Sequence, residues 1–207
     1  MERREARGGT LVLGGGFAGS YVARLLKKRG ATIVSLENFM LYTPLLPEAA
    51  SGTLEPRHVV VPLRTMCPHA ELVLGRVRAL DRDRKVVEVE SLAGPLKIGY
   101  ERLVVALGAT TRTFPVPGLV EHGVGFKDLA DAIALRNRVL LQLERASIHP
   151  GDPSELGFVF VGAGYAGVEA LAELNDMAHA ALRSYPDLRD IPQRWVLVDA
   201  APKILPE

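Results

Sequence analysis

The chain has 207 residues, 48% hydrophobic and 24% charged, and its 25 basic and 24 acidic residues leave a net charge of +1. That balance gives no electrostatic argument for a nucleic acid or an anionic membrane as partner, and no apolar run reaches the length of about 18 residues needed to span a bilayer. The single cysteine, Cys67, excludes an intramolecular disulfide and a C-x-x-C redox pair, and is expected to fill a loop or core position.

Arg3, Arg4 and Arg7 before an apolar stretch faintly mimic a secretory signal, but a different pattern follows. Thr10-Leu11-Val12-Leu13 is an apolar strand running into Gly14-Gly15-Gly16-Phe17-Ala18-Gly19, and an apolar helix is predicted from Tyr21 to Lys28. Gly14, Gly16 and Gly19 fit G-x-G-x-x-G. The first glycine permits the tight turn, the second lets a pyrophosphate approach the backbone, and the third lets helix and strand pack closely. The helix N-terminus then offers free N–H groups and the positive dipole end to phosphates. A second apolar strand, Ala31 to Leu36, ends in Glu37. That carboxylate stands about 20 residues past the glycines, where such folds bind a ribose hydroxyl.

A long connection, Asn38 to Pro62, follows. Its prolines Pro44 and Pro47 bracket Leu45 and Leu46 and restrict the backbone at both ends. A loop at the C-terminal end of a strand in an open α/β sheet lies where ligands bind. His58 has no neighbouring His or Cys cluster, so no metal site is expected. From Glu71 to Lys97 the pattern becomes that of a small antiparallel β-meander, with a strand over Leu72–Leu74 continued by Val77–Leu80, a partly alternating strand over Lys85–Glu90 and a solvated turn at Asp81–Arg84. Leu103 to Ala109 reads as a buried strand ending in a glycine, and Thr110 to Pro117 as an irregular connection. Asp128 is placed to cap a helix with Leu129, Ala132, Leu135, Val139 and Leu143 on one face, broken by His149-Pro150-Gly151-Asp152-Pro153.

The opening pattern then returns. Phe158–Val161 enters Gly162-Ala163-Gly164-Tyr165-Ala166-Gly167, a helix carries Val168 to Leu174, and Trp195–Val198 ends in Asp199. Two strand–glycine turn–helix–strand–carboxylate units imply two nucleotide sites. The expected fold is α/β, with two Rossmann-like, doubly wound three-layer units, both incomplete, and the meander inserted in the first. The division is expected as 1–118 and 119–207. Asp199 is expected to bind a ribose 2′-OH and to repel a 2′-phosphate, which favours NADH over NADPH.

Two such motifs joined by an apolar strand ending Ala106-Leu107-Gly108 are similar to the two-dinucleotide-domain flavoproteins, in which the first motif binds FAD and the second NAD(P)H. More closely, the chain resembles the type II NADH:quinone oxidoreductases, the single-subunit respiratory NADH dehydrogenases. Leu41 to Gly52, Val161 to Glu169, and Val196 to Pro206 carry that resemblance. It implies a hydride passed from NADH to FAD and electrons passed on to a quinone. It places Gly14, Gly16, Phe17, Ala18, Gly19 and Glu37 on FAD, with Pro44, Leu45 and Leu46 beside the isoalloxazine. Val77, Ala106, Leu107 and Gly108 follow as adenine and phosphate contacts. Gly162, Gly164, Gly167 and Asp199 fall on NAD(H). Glu169 falls where the family has a glutamate facing the flavin; its plainer role is a first-turn helix residue worth about 0.3–1 kcal/mol through the dipole.

The family chain is about twice as long, and it carries a returning segment with a Gly-Asp flavin contact and a C-terminal membrane-attaching segment. The sequence is therefore expected to be the N-terminal half of such an enzyme. The expected consequences are inactivity of this chain alone with weak FAD binding, self-association, segment exchange or poor solubility through uncovered apolar strand edges, and a cytoplasmic location, at the membrane's cytoplasmic face if full length. A non-catalytic nucleotide-binding module, or an NADH-dependent flavoprotein reductase with another acceptor, is the competing expectation. Disulfide reduction and sulfide oxidation are disfavoured by the lone Cys67.

Overall fold

A computed structural model of the chain describes residues 2–110, 115–149 and 155–205. In chain order the elements are β1 (Glu2–Glu5), β2 (Thr10–Leu13), α1 (Phe17–Leu26), β3 (Ala31–Ser35), β4 (Phe39–Leu41), α2 (Leu46–Ser51), β5 (Val60–Pro62), α3 (Leu63–Met66), β6 (Ala70–Asp81), β7 (Val86–Ser91), β8 (Gly94–Gly99), β9 (Arg102–Val105), α4 (Leu119–His122), α5 (Leu129–Ile148), β10 (Gly157–Val161), α6 (Tyr165–Ala181) and β11 (Arg194–Val198). They fall into two compact units, Met1–Tyr42 with Val60–Thr110, and Thr43–Val59 with Thr111–Glu207. Residues 43–59 group with the second unit and 60–110 with the first.

The first unit is built on a seven-stranded sheet of order β1-β8-β7-β6-β3-β2-β9. β9, β2, β3 and the first half of β6 run parallel, as right-handed βαβ logic requires. β6 is one twelve-residue strand that carries Leu72–Leu74 on into Val77–Leu80, as expected. Its first half pairs with β3; from Gly75 onward, past an irregularity between Val77 and Ala79, it pairs antiparallel with β7. The expected meander β6-β7-β8 is thus continuous with the parallel sheet. β2 is buried at all four positions, because side chains alternate between faces. Leu11 and Leu13 join Val34, Val73, Val87, Val89, Leu96 and Ile98 in one core. Val12 joins Ala23, Ala31, Ile33 and Cys67 in another, against Val22 and Leu26 of α1.

Four expectations about this unit change. α1 starts at Phe17, on the glycine turn itself, and ends at Leu26. β3 ends at Ser35, which leaves Leu36 exposed. Leu103–Ala109 is not a buried strand: among the described residues β9 pairs with β2 alone, at the edge of the sheet, and Val105 and Leu107 are 62% and 59% exposed. Arg3 and Arg4 lie in β1, which pairs parallel with β8 and which the sequence pattern did not announce.

In the second unit β10 and β11 form a parallel pair with α6 as crossover. α5 opens on a capping box in which Asp128 and Asp131 each accept from the other's backbone. Its inner residues Leu143 and Ala146 pack with Leu156 and Leu188. Trp195 stacks on Phe158, ring centroids 4.3 Å apart, while Val159, Val161 and Val198 remain exposed. α2, hidden in the long connection, packs on α5 and α6. The sequence features at Thr111–Phe114, Pro150–Pro153 and Pro206 lie outside the described residues.

Candidate dinucleotide-binding sites

The first glycine turn is held from both sides. Gly14 N–H donates to the Val34 carbonyl at 2.8 Å, and Ala106 N–H donates to the Leu13 carbonyl at 2.8 Å. Gly14 has φ +106°, and a Cβ there would fall on the Ala106 carbonyl oxygen. A Cβ on Gly19 would likewise strike the Gly14 carbonyl, so these two glycines serve the close approach of strands and helix. Gly16 differs: it caps α1 with extended backbone and no side-chain cap, and beyond its chain neighbours no atom of the described residues lies within 4 Å of where its Cβ would stand. The first intrahelical acceptor is the Gly16 carbonyl, bonded by Ser20 N–H at 3.0 Å. The N–H groups of Phe17, Ala18 and Gly19 therefore have no partner within the helix. No acidic side chain stands in the first turn. An open, positively polarised helix start of this kind fits a pyrophosphate.

Glu37 lies two positions past β3, exposed. Ala106 and Leu107 abut Gly14, while Gly108, at φ +74°, faces open space. Phe17 packs edge-on against Tyr42 at 5.4 Å. Val77 packs against the core of the meander, which accounts for its apolar character without a ligand. Cys67 is buried and donates to the Ser20 carbonyl at 3.3 Å; burial pushes its thiol up, with Arg24 opposing.

The second turn repeats the first. Gly162 N–H donates to the Val198 carbonyl at 2.8 Å, a Cβ on Gly167 would strike the Gly162 carbonyl, and Gly164 caps α6 with open space around it. Asp199 reaches back to this turn. It accepts from Ala163 N–H at 2.5 Å and Ala201 N–H at 2.6 Å. These bonds, Ala163 first, lower its pKa from the ordinary aspartate value. Glu169 is exposed and is the fifth residue of α6, not in its first turn as expected, because the helix starts at Tyr165. The dipole effect, which fades after the first turn, explains it less well.

In the second unit Pro44 is exposed, Leu45 partly covered and Leu46 buried, in a 3-10 turn leading into α2. Sequence reasoning missed the bond from Asp199 to Ala163 and the contact of Ser51 with Glu173, 2.6 Å apart and separated by 122 positions. No local signal marks either pairing. Among the described residues no group of three or more His, Cys, Asp or Glu side chains could hold a metal, and no helix is long and apolar enough to cross a membrane.

Strand, glycine turn and open helix cap, built twice and each followed by a strand leading to a carboxylate, define a protein of the Rossmann-like dinucleotide-binding fold. Residues 9–207 match the pyridine nucleotide-disulphide oxidoreductase family, and the chain belongs to it. It is 37% identical over 187 residues to the external NADH-ubiquinone oxidoreductase 2 of Saccharomyces cerevisiae mitochondria, covering 84% of this chain and 34% of that protein. It is 30% identical over 206 residues to the type II NADH:quinone oxidoreductase Ndh of Mycobacterium tuberculosis, covering 95% and 44%. The structure of NDH2 from Plasmodium falciparum in complex with NADH superposes with a TM-score of 0.85 at 26% identity, covering 97% of this chain and 43% of that one. The chain thus spans less than half the length of the relatives it matches.

Proposed function

We propose that this chain supplies the nucleotide-binding part of an FAD-dependent NADH:quinone oxidoreductase. The observation that carries the reading is the duplicated turn, with an uncapped, open glycine at each helix start. The relatives' names, which pair NADH with a quinone, support it. FAD is assigned to the first turn and NADH to the second. Bound flavin would accept two electrons from NADH and return them to a quinone, chemistry that belongs to the cofactor.

The chain's own residues bind and orient. The N–H groups of Phe17, Ala18 and Gly19 would hold the flavin's pyrophosphate, and Glu37 its adenosine ribose. Ala106, Leu107 and Gly108 border that turn, and Val77 is the adenine contact the resemblance proposes. Pro44, Leu45 and Leu46 are proposed to keep water from the flavin ring. Gly162, Gly164 and Gly167 would admit the NADH pyrophosphate, Asp199 its ribose, and Glu169 is proposed as the acidic group nearest the reacting atoms. Peripheral attachment at the cytoplasmic face of a membrane belongs to the same proposal, since quinones are lipid-phase molecules.

Self-association is proposed on separate grounds, the exposed Val159, Val161 and Val198 of the β10–β11 pair. Sedimentation should find the chain larger than 22.4 kDa.

Anaerobic NADH added to FAD-loaded protein tests the enzyme reading. Bleaching of the flavin band, reversed by a quinone, is the expected result. Protein that binds NADH but retains no flavin would favour the non-catalytic module instead, and bleaching reversed only by another acceptor would favour a different reductase.

A further inference from the structure

Ser51 ends α2, and its hydroxyl lies 2.6 Å from Glu173 Oε2 on α6. The Thr53 hydroxyl is 3.2 Å from the same oxygen and 2.9 Å from Ser51 Oγ, and Thr53 N–H donates to Ser51 Oγ at 3.3 Å. A serine hydroxyl has one proton to give. The Glu48 carbonyl, 3.1 Å from Ser51 Oγ, competes for it, but the shorter approach to a carboxylate is the charge-assisted bond, so Ser51 donates to Glu173, the Thr53 hydroxyl donates to the same oxygen, and Ser51 accepts from Thr53 N–H. Gly52 between them is left-handed at φ +83°, and a Cβ there would press on the Arg136 guanidinium of α5.

Two residues from neighbouring helices therefore close on the C-terminal end of a six-residue helix. Their charges have opposite merits there. Arg136 suits the negative end of a helix; Glu173 opposes it. A contact selected for stability alone has no need of that carboxylate, which makes geometry its better explanation. α2 carries Pro44, Leu45 and Leu46 at its entrance. α6 opens at Gly164 and bears Glu169, one turn before Glu173 on the same face.

We infer that Glu173 is a positioning residue: through Ser51 and Thr53 it fixes α2, and with it the Pro44–Leu46 segment, in register with the helix that opens at the second glycine turn. The functional part of this inference rests on the oxidoreductase reading; the structural part does not. Nucleotide binding at the head of α6 and the setting of the Pro44–Leu46 segment become mechanically linked through one carboxylate.

Hydrogen exchange of the ligand-free 207-residue chain tests the clasp. Glu173→Ala should raise exchange across residues 46–54 by at least about tenfold while β10 and β11 stay protected, and Glu173→Gln, which keeps an acceptor, should restore most of the protection. Unchanged exchange at 46–54 in the alanine variant overturns the inference. So does equal loss across the whole unit, which would mark Glu173 as a general stability residue. In FAD-loaded protein that NADH reduces, Glu173→Ala should lower kcat with a quinone about tenfold and leave the NADH KM within about twofold. An unchanged kcat beside a loosened 46–54 would remove the functional part. Wild-type protein that NADH fails to reduce would instead count against the oxidoreductase reading and leave the exchange result to decide the clasp.

Discussion

Asp199 braces the turn it serves: its carboxylate accepts the backbone N–H of Ala163, 36 positions earlier, at 2.5 Å. Ala201 N–H binds the other oxygen. A carboxylate has about four lone-pair sites, so these bonds leave acceptors for a ribose hydroxyl while fixing the group's direction. The lowered pKa sets the pH window. A depressed folded value means that the contribution is whole above the unfolded pKa of about 3.9 and is lost as pH falls through the lower folded value. The Ala163 amide resonance should therefore hold constant from about pH 5 to about pH 8 and shift only in strong acid. NADH should bind at least about tenfold more tightly than NADPH, and Asp199→Ala should narrow that ratio by weakening NADH. Equal affinities in the parent protein would contradict the ribose assignment.

Gly16 and Gly19 should respond to the same substitution in opposite ways. Gly19→Ala drives a methyl into the Gly14 carbonyl and should cost about 3 kcal/mol in urea unfolding. Gly16→Ala meets no atom of the described residues beyond its chain neighbours, so stability should change by no more than about 1 kcal/mol. Flavin titration of the Gly16 variant should nonetheless show at least about tenfold weaker binding, because the methyl occupies the phosphate's approach.

Glu37 has no bonding partner among the described residues and stands exposed just past β3. Glu37→Ala should leave the melting temperature unchanged and lower FAD retention roughly 10- to 150-fold, the worth of a hydrogen bond to a charged group. Full flavin occupancy in equilibrium dialysis would remove Glu37 from the site.

Glu169→Gln separates chemistry from helix stability. Exposed, and beyond the first turn of α6, the residue should contribute less than about 1 kcal/mol to folding. Steady-state rates with NADH or with a quinone should nevertheless fall, by about tenfold or more if it moves a proton. Unaltered kinetics with both substrates would leave it a surface residue.

The parts that were legible in the sequence are those written in consecutive residues. Both glycine turns, the Asp128 cap and the meander follow from local pattern, since φ, side-chain period and capping act over a few positions. The failures share a cause in distance along the chain. Leu103–Val105 is as apolar as any core strand, yet β9 lies at an edge, because burial depends on how many neighbours a strand acquires. Asn38–Pro62 reads as loop in the sequence, since Pro44 and Pro47 mask the short helix that begins at Leu46. Ser51 and Glu173 carry no mark of each other. In the site, glycines and carboxylates were readable by type; the bracing of Asp199 on Ala163 was not, since it depends on where β11 returns.

The closure of Ala106 over Gly14 sets a timetable. The residues that spell the first turn leave the ribosome well before β9 does, and the turn is incomplete until β9 docks on β2. That docking joins Arg102 Nε to Thr10 Oγ1 across 92 positions. The second turn is braced across only 36. Loop-closure entropy makes the longer join costlier by about 0.8 kcal/mol, and long-range parallel pairing is intrinsically slow. The two copies of one motif should thus mature in the reverse of their written order, the later-synthesised turn setting first. A nascent chain would then hold an unclosed β2 edge throughout the synthesis of the meander, and a slow codon stretch just after Val105 would favour correct pairing more than one just after Gly19.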